Sequence, residues 1–246
     1  MPRLFVPKES IQGPRGIVRG GELHHLRRVL RLTPGDAITI FDDAGDEHEA
    51  VIRAFGPESA EVQIVRSYAA HRESSLDLTL ALGLTKGDKL DFVLEKTTEL
   101  GLRRMIPFTS AYSVVKLDPA KAAKRRERWQ RIALSAAKQS GRTRVPEVLP
   151  LCAFREVLDQ TWPDTVKLLF WEKEARQSLR QVQGKRAQVE AVLIGIGPEG
   201  GFSIEEAGEA EARGFELVSL GRRILRAETA AVAAVSLAQF LWGDLS

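Results

Sequence analysis

A chain of 246 residues can bury one large core or two smaller ones, and 43% hydrophobic against 28% charged residues excludes an intrinsically disordered protein. The formal net charge of +3 does not by itself announce a polyanion partner, and a single cysteine, Cys152, excludes an internal disulfide. The opening MPRLFVPKES lacks an apolar stretch of signal-peptide length and Ala230 to Trp242 is too short to cross a bilayer, so a cytoplasmic protein outside the membrane is expected.

The first seventy residues alternate short apolar runs with Gly, Pro and Asp punctuation. RLFV, AITIFDD, HEAVIRAF and AEVQIVRSY read as strands of a small barrel. One helix interrupts them, ELHHLRRVLRL, with Leu23, Leu26 and Leu30 on one face and Arg27, Arg28 and Arg31 on the other. The histidines at 24 and 25 are surface residues of that basic helix, and none of His24, His25, His48 and His71 has a cysteine at a zinc-like spacing, so no metal is expected.

After AAHRES the rhythm changes to strands alternating with helices, which predicts a parallel sheet covered on both faces. The boundary falls near 72, giving domains 1–72 and 73–246. The predicted strands are LDLTLALGL, MIPFTS, VKLLFW, AVLIGIG and ELVSLG, with helices beginning near Asp88, Asp118, Phe154, Arg176, Ser203 and Glu228. The last helix is small and apolar on nearly all sides, which predicts burial over most of its surface. Glu95 and Glu99, one turn apart on the first of these helices, need a cation from Lys96, Arg103 or a partner.

Between Lys116 and Arg144 ten Lys or Arg face two acids, a local net of +8 in a chain of +3. With almost no counter-charge and a flexible QSGRTR at its end, this helix points to a polyphosphate partner.

LIGIGPEGGF, Leu193 to Phe202, opens an apolar strand into bare backbone. Gly195, Gly197 and Gly200 satisfy G-x-G-x-x-G, the dinucleotide fingerprint, yet three features speak against a pyrophosphate. Glu199 would stand beside two phosphates, Pro198 removes an amide donor, and the acid expected about twenty residues on is absent. A nucleoside-like cation suits the loop better, because a carboxylate then answers an ammonium or sulfonium charge. Ser203 and Glu206 form a capping box for the next helix, which leaves Glu199 outside that structural role. A second unusual stretch, LGRRILRAET, mixes apolar residues, arginines, an acid and a hydroxyl in one short loop.

IGPEGGFSIEE and LGRRILRAETA, together with HHLRRVLRLTPGD, KGDKLDFVLEKTTELG and RWQRIALSAAKQSGRTRVPEV, resemble the RsmE family of the SPOUT class of S-adenosylmethionine-dependent RNA methyltransferases. The resemblance covers nearly the whole chain. It implies methylation of N3 of a uridine in 16S rRNA of the small ribosomal subunit, an N-terminal PUA-like RNA-binding barrel, a SPOUT-type α/β domain with a C-terminal trefoil knot, and a homodimer. In its third loop this chain carries Arg222-Arg223 where a Pro is expected, and Ala227 replaces a more usual Thr.

The cofactor, S-adenosylmethionine, would be held by Phe170, Trp171, Gly195, Ile196, Gly197, Pro198, Glu199, Gly200, Leu220, Gly221, Ile224, Leu225, Arg226 and Thr229. Arg226 is the candidate to stabilise an anionic base, with Glu199 or Glu228 as proton acceptor. RNA phosphates are expected at Arg27, Arg28, Arg31, Lys86, Lys89, Arg142, Arg144, Arg222 and the 121 to 131 cluster. Two rival readings remain: an RNA-binding assembly protein without turnover, and a nicotinamide-dependent dehydrogenase.

Overall fold

The computed structural model of the protein describes residues 1–115, 117–172, 177–186 and 188–245, and divides into two compact units. Lys116 and Arg176, named above in the basic run and at a helix start, lie outside the described residues.

The first unit comprises Met1–Glu73 and Ala137–Val145. Its strands are β1 (Arg3–Phe5), β2 (Ile11–Gln12), β3 (Arg15–Arg19), β4 (Ala37–Phe41), β5 (Asp46–Phe55) and β6 (Ser59–Ala69), paired in the order β1-β4-β5-β6-β3-β2. The β1–β4 pair is parallel and the others antiparallel. Strict alternation in β3 and in the first half of β6 sends Val18, Ala60, Val62 and Ile64 inward to meet Leu4, Ile38, Ile40 and Ile52 in one core. Register shifts at Glu49/Ala50 and Ile52/Ala54 increase the local twist, which helps the sheet curl around that core.

The hairpin of β2 and β3 is not among the expected strands, because IQGPRGIVRG is punctuated by Gly and Pro at every second or third position. The helix expected over ELHHLRRVLRL is an α-helical turn, α1 (Gly20–His24), followed by a wider π turn from His25 to Val29, in which Leu30 N donates to His25 O at 2.9 Å. Leu23 and Leu26 are buried and Leu30 packs partly against the core, so the apolar face was read as the structure has it.

The second unit comprises Ser74–Ala136 and Pro146–Ser246. Its elements in order are β7 (Asp77–Gly83), α2 (Lys89–Glu99), β8 (Arg104–Thr109), α3 (Pro119–Ser140, whose residues from Ala137 group with the first unit), β9 (Glu147–Val148), β10 (Cys152–Ala153) and α4 (Phe154–Asp159). There follow β11 (Thr165–Phe170), β12 (Gln177–Ser178), α5 (Leu179–Lys185), β13 (Ala191–Ile196), α6 (Ile204–Ala212), β14 (Glu216–Ser219) and α7 (Ala227–Trp242). The sheet is parallel, ordered β10-β8-β7-β13-β11-β14-β12, with β9 beside β8. The central strands are apolar on both faces because both faces are covered: β7 is buried from Leu78 to Gly83.

The sheet order positions the site. β13 and β14 flank β11 on opposite sides, and α7 returns to pack against α2, β7 and β13. The loops leaving β11, β13 and β14 are thereby gathered at one end of the sheet, where open parallel sheets bind their ligands. Burial of α7 over most of its surface is also corrected. Ala231, Ala234, Val235, Ala238 and Gln239 form one inward stripe at helical spacing, while Leu237 and Phe240 are exposed. Small residues on the inner stripe let the helix approach its neighbours closely, and Leu237 and Phe240 point outward. Among the described residues no helix is long and apolar enough to cross a membrane.

Candidate functional site

A cavity of about 370 Å³ opens at the C-terminal ends of β11 and β13. Phe170 and Glu172 line it after β11, Ile196 to Glu199 and Gly201 after β13, and Ile224 to Ala227 with Ala230 ahead of and within α7. Lys89, from the first turn of α2, completes the wall. A smaller space of about 70 Å³ adjoins it, bounded by Trp171, Val218 to Gly221 and Arg223, and shares Phe170, Glu172, Leu225 and Ala230 with the first.

The turn after β13 is held where it is by close backbone approach. A Cβ built on Gly83, the last residue of β7, would lie 2.3 Å from Pro198 N and 2.8 Å from Gly197 C. Strand and turn therefore touch backbone to backbone, which a side chain at 83 would forbid. Beyond the turn, Ser203 Oγ accepts from Glu206 N at 3.1 Å and Glu206 Oε2 accepts from Ser203 N at 3.0 Å, the predicted capping box.

The acids near Lys89 are unequal. Glu199 Oε1 accepts from Lys89 Nζ at 2.8 Å and from Lys86 N at 3.1 Å. Burial pushes the Glu199 carboxyl pKa up, but the Lys89 ammonium and the backbone N–H groups of Glu199 and Lys86 outweigh it and hold the group below its ordinary value of 4.5. The same hydrogen bond raises Lys89 above its ordinary 10.5, against desolvation and the repulsion of Arg226. Glu228 Oε2 lies 3.9 Å from Lys89 Nζ and is buried with no hydrogen-bond partner in the structure. A buried acceptor left unpaired costs about 1–3 kcal/mol.

Most of the expected cofactor residues converge on these two spaces. Phe170, Ile196, Gly197, Pro198, Glu199, Ile224, Leu225 and Arg226 line the larger, and Trp171, Leu220 and Gly221 the smaller. Three lie elsewhere: Gly195 is enclosed within β13 against Leu169, Gly200 packs on Tyr112, and Thr229 faces outward from the first turn of α7. The reading did not name Glu172, Gly201, Ala227 and Ala230, each of which sits one residue beyond an assigned neighbour and could have been found by extending each segment.

The expected RNA contacts divide more sharply. Lys89 lines the cavity and its ammonium pairs with Glu199 at 2.8 Å. Arg142 is corrected to a structural residue: its side chain is 7% exposed and pairs with Glu73 at 2.6 Å. Arg27 donates to the carbonyls of Gly56 and Pro57 and covers the Phe55 ring, and Arg144 is partly buried with a bond to Ala44 O at 3.2 Å. On α3, Arg126 donates to Val148 O at 2.7 Å and Arg128 pairs with Asp88 and Asp91, which thins the cluster. Arg28, Arg31, Lys86 and Arg222 are exposed. Lys96 pairs with both Glu95 at 2.7 Å and Glu99 at 2.9 Å, which answers their repulsion within the chain.

The donor set fits the expected cofactor class. Apolar walls at Phe170, Ile196, Ile224 and Leu225 suit an adenine. On the wall Glu172 and Glu199 balance Lys89 and Arg226, so the lining carries no excess of positive charge to draw a phosphate. Among the described residues no group of three or more His, Cys, Asp or Glu could hold a metal ion.

Comparison with known proteins agrees in both units. The family model for an RNA methyltransferase domain matches residues 72–239, and that for an RNA methyltransferase PUA domain matches residues 18–65. The chain is 34% identical to the ribosomal RNA small subunit methyltransferase E of Bacillus subtilis over 96% of this chain and 95% of that protein. It is 32% identical to the protein of that name from Synechocystis, covering 95% and 76%. The crystal structure of a ribosomal RNA small subunit methyltransferase E from Neisseria gonorrhoeae bound to S-adenosyl methionine superposes with a TM-score of 0.89 at 38% identity over both whole chains. A Legionella pneumophila protein in complex with bound SAM gives a TM-score of 0.89 at 32% identity, covering 99% and 98%.

Proposed function

The chain belongs to the ribosomal RNA small subunit methyltransferase E family, and from that premise we propose that it is an S-adenosylmethionine-dependent methyltransferase acting on N3 of a uridine in 16S rRNA. The observation that carries the proposal is the cavity itself: three loops from adjacent strand ends, an apolar wall, and two carboxylates that balance its two cations. When bound there, S-adenosylmethionine supplies an electrophilic methyl group activated by its sulfonium charge. Phe170, Ile196, Ile224 and Leu225 would hold its adenosine, and the backbone of the turns after β13 and β14 would frame it.

The chain's own residues prepare the base. The N3 proton of a uridine must leave for the nitrogen lone pair to attack, and Glu199 and Glu228 are the two candidate acceptors. Glu199 lines the cavity and is held anionic by Lys89, below its ordinary pKa, while Glu228 is outside the lining with its Oε2 3.9 Å from the same ammonium. Arg226, exposed at the cavity edge and N-cap of α7, offsets the negative charge that develops on the uracil carbonyls. The walls orient donor and acceptor so that displacement proceeds in line.

Residues 1–72 would form the PUA-like RNA-binding barrel and 73–246 the SPOUT methyltransferase domain. We assign a trefoil knot to the latter, supported by the return of α7 across the sheet after β13 and β14 have flanked β11. The exposed Leu237 and Phe240 of α7, with Phe92 of the adjoining α2, support a homodimer. Phe240→Glu should then convert the protein to a monomer by light scattering. The proposed setting is the cytoplasm, where the small subunit is assembled.

Incubation with radiolabelled S-adenosylmethionine and small subunits lacking the modification, followed by mass spectrometry of the nucleosides, tests the central claim. The expected product is 3-methyluridine. Absence of transferred label would favour an RNA-binding assembly protein, and a different methylated nucleoside would overturn the choice of N3.

A further inference from the structure

Beyond the residues that line the cavity, one aromatic side chain is presented next to it by unusually firm local structure. β8 ends at Thr109 and the chain turns through Ser110–Ser113, with Ser113 N donating to Ser110 O at 3.0 Å and Ser110 N to Ser113 Oγ at 2.8 Å. Ala111 N donates to Glu206 Oε1 at 2.8 Å, and Glu206 is the carboxylate that also caps α6 through its other oxygen. Tyr112, within this turn, is thus fixed from both sides. It packs directly on the loop after β13: a Cβ on Gly200 would fall 2.6 Å from Tyr112 Cβ and 3.4 Å from Cγ. Gly200 lies between Glu199 and Gly201, both of the cavity wall.

The neighbouring aromatics are committed to the interior. Phe170 is 8% exposed, Trp171 5% and Phe202 1%, while Tyr112 is 46% exposed. An enzyme that alkylates a ring nitrogen on the pairing edge of a base must take that base out of its stack, at a cost of a few kcal/mol. Aromatic faces return part of that cost, because every base presents a π face to stack upon. A rigidly held, half-exposed ring beside the cofactor loop meets that need, whereas the buried aromatics cannot.

We propose that Tyr112 is a substrate-contacting residue, the stacking platform for the target base as it enters the cavity. The proposal rests on the methyltransferase reading above. It predicts a dependence on ring rather than on bulk.

The test uses the full-length protein with four substitutions, Tyr112→Phe, Tyr112→Trp, Tyr112→Leu and Tyr112→Ala. Affinity for S-adenosylmethionine is measured by calorimetry, and kcat/KM on unmodified small subunits is measured in parallel. Phe and Trp should keep kcat/KM within about threefold, while Leu and Ala lower it about 5- to 150-fold, the equivalent of stacking worth about 1–3 kcal/mol. Affinity for the cofactor should be unchanged in all four, which also reports that they fold. A Leu variant as active as Phe, an Ala variant as active as wild type, or a parallel loss of cofactor affinity would overturn the platform role. A change of oligomeric state in the Ala variant would instead make Tyr112 a subunit contact. Wild-type protein that transfers no methyl group overturns the function and Tyr112's part in it together; wild-type turnover with an unaffected Ala variant overturns the platform alone.

Discussion

Replacing Gly83 by Ala adds one methyl group at the end of β7 and should weaken cofactor binding without unfolding the protein. The new Cβ would stand 2.3 Å from Pro198 N, 2.4 Å from Pro198 Cδ and 2.8 Å from Gly197 C, where ordinary contact begins near 3.4 Å. A separation of about 1 Å has to be found, and none of the three atoms belongs to a side chain that can rotate away. β7 is paired with β8 on one side and β13 on the other, so the strand cannot retreat. The turn from Gly197 to Gly201 moves instead, carrying Pro198, Glu199 and Gly201 of the cavity wall with it. Overpacking of this kind costs about 1–3 kcal/mol, and where it falls on the loop it appears as a rise of about 5- to 150-fold in the dissociation constant for S-adenosylmethionine. Calorimetric titration measures that rise, and urea unfolding of the same protein bounds the global loss at about 3 kcal/mol. A G83A protein that binds the cofactor like wild type and unfolds at the same urea concentration would refute the claim that β7 and the turn are locked together.

Lys89→Met should lower thermal stability and cofactor affinity in a pH-dependent way. Glu199 titrates below its ordinary 4.5, so its pairing stabilises above that pH and is lost as pH falls through the depressed value; Lys89 titrates above its ordinary 10.5, so its share is present below that pH and is lost as pH rises through the raised value. The difference between wild type and variant in melting scans should therefore be present at neutral pH and close below 4.5. Glu73→Ala or Arg142→Met leaves the other member of a largely buried pair uncompensated and should cost about 3–5 kcal/mol in urea unfolding. RNA affinity should fall with log salt at a slope of roughly −4 if about five cations reach phosphates, and Arg28→Ala or Arg31→Ala should each reduce that slope by about 1. Cys152, pushed up to about 11 by burial and by Glu156, should resist alkylation at pH 8 in the folded protein and react once urea unfolds it.

The elements of the second unit were legible because doubly covered parallel strands must be apolar throughout, and the helices between them carry their own start signals. Ser203 and Glu206 announced α6 by their spacing alone, and the capping box is there. The hairpin at Ile11–Arg19 was not legible for the opposite reason. Its strands are two and five residues long, and Gly13 with Pro14 at the turn and Gly16 within β3 outweigh the signal of Ile17 and Val18. Gly16 is tolerated in a strand because Val62 of β6 closes over it, a Cβ there standing 3.0 Å from Val62 Cγ2. That contact joins residues 46 positions apart, and no local window contains it. The burial of α7 failed similarly: composition told that the helix is apolar, but the choice of its inward stripe belongs to the shape of α2, β7 and β13.

At the site, residue types pointed to loops that gather around one cavity, and long-range pairing sets which of their side chains are bonded to one another. Glu199 reads as an unassigned acid because nothing within ten residues answers it; the cation that does is 110 positions earlier in the chain. Lys89 and Arg142 read as phosphate ligands by their basic surroundings, and the structure pairs each with a carboxylate, Glu199 and Glu73, burying Arg142 in the process. Lys89 bonds Glu199 at 2.8 Å and only approaches Glu228 at 3.9 Å, so the two acids that sequence offers as equals are set apart by a lysine at the start of α2. That difference depends on a contact across 110 positions of chain, which no motif around either acid contains.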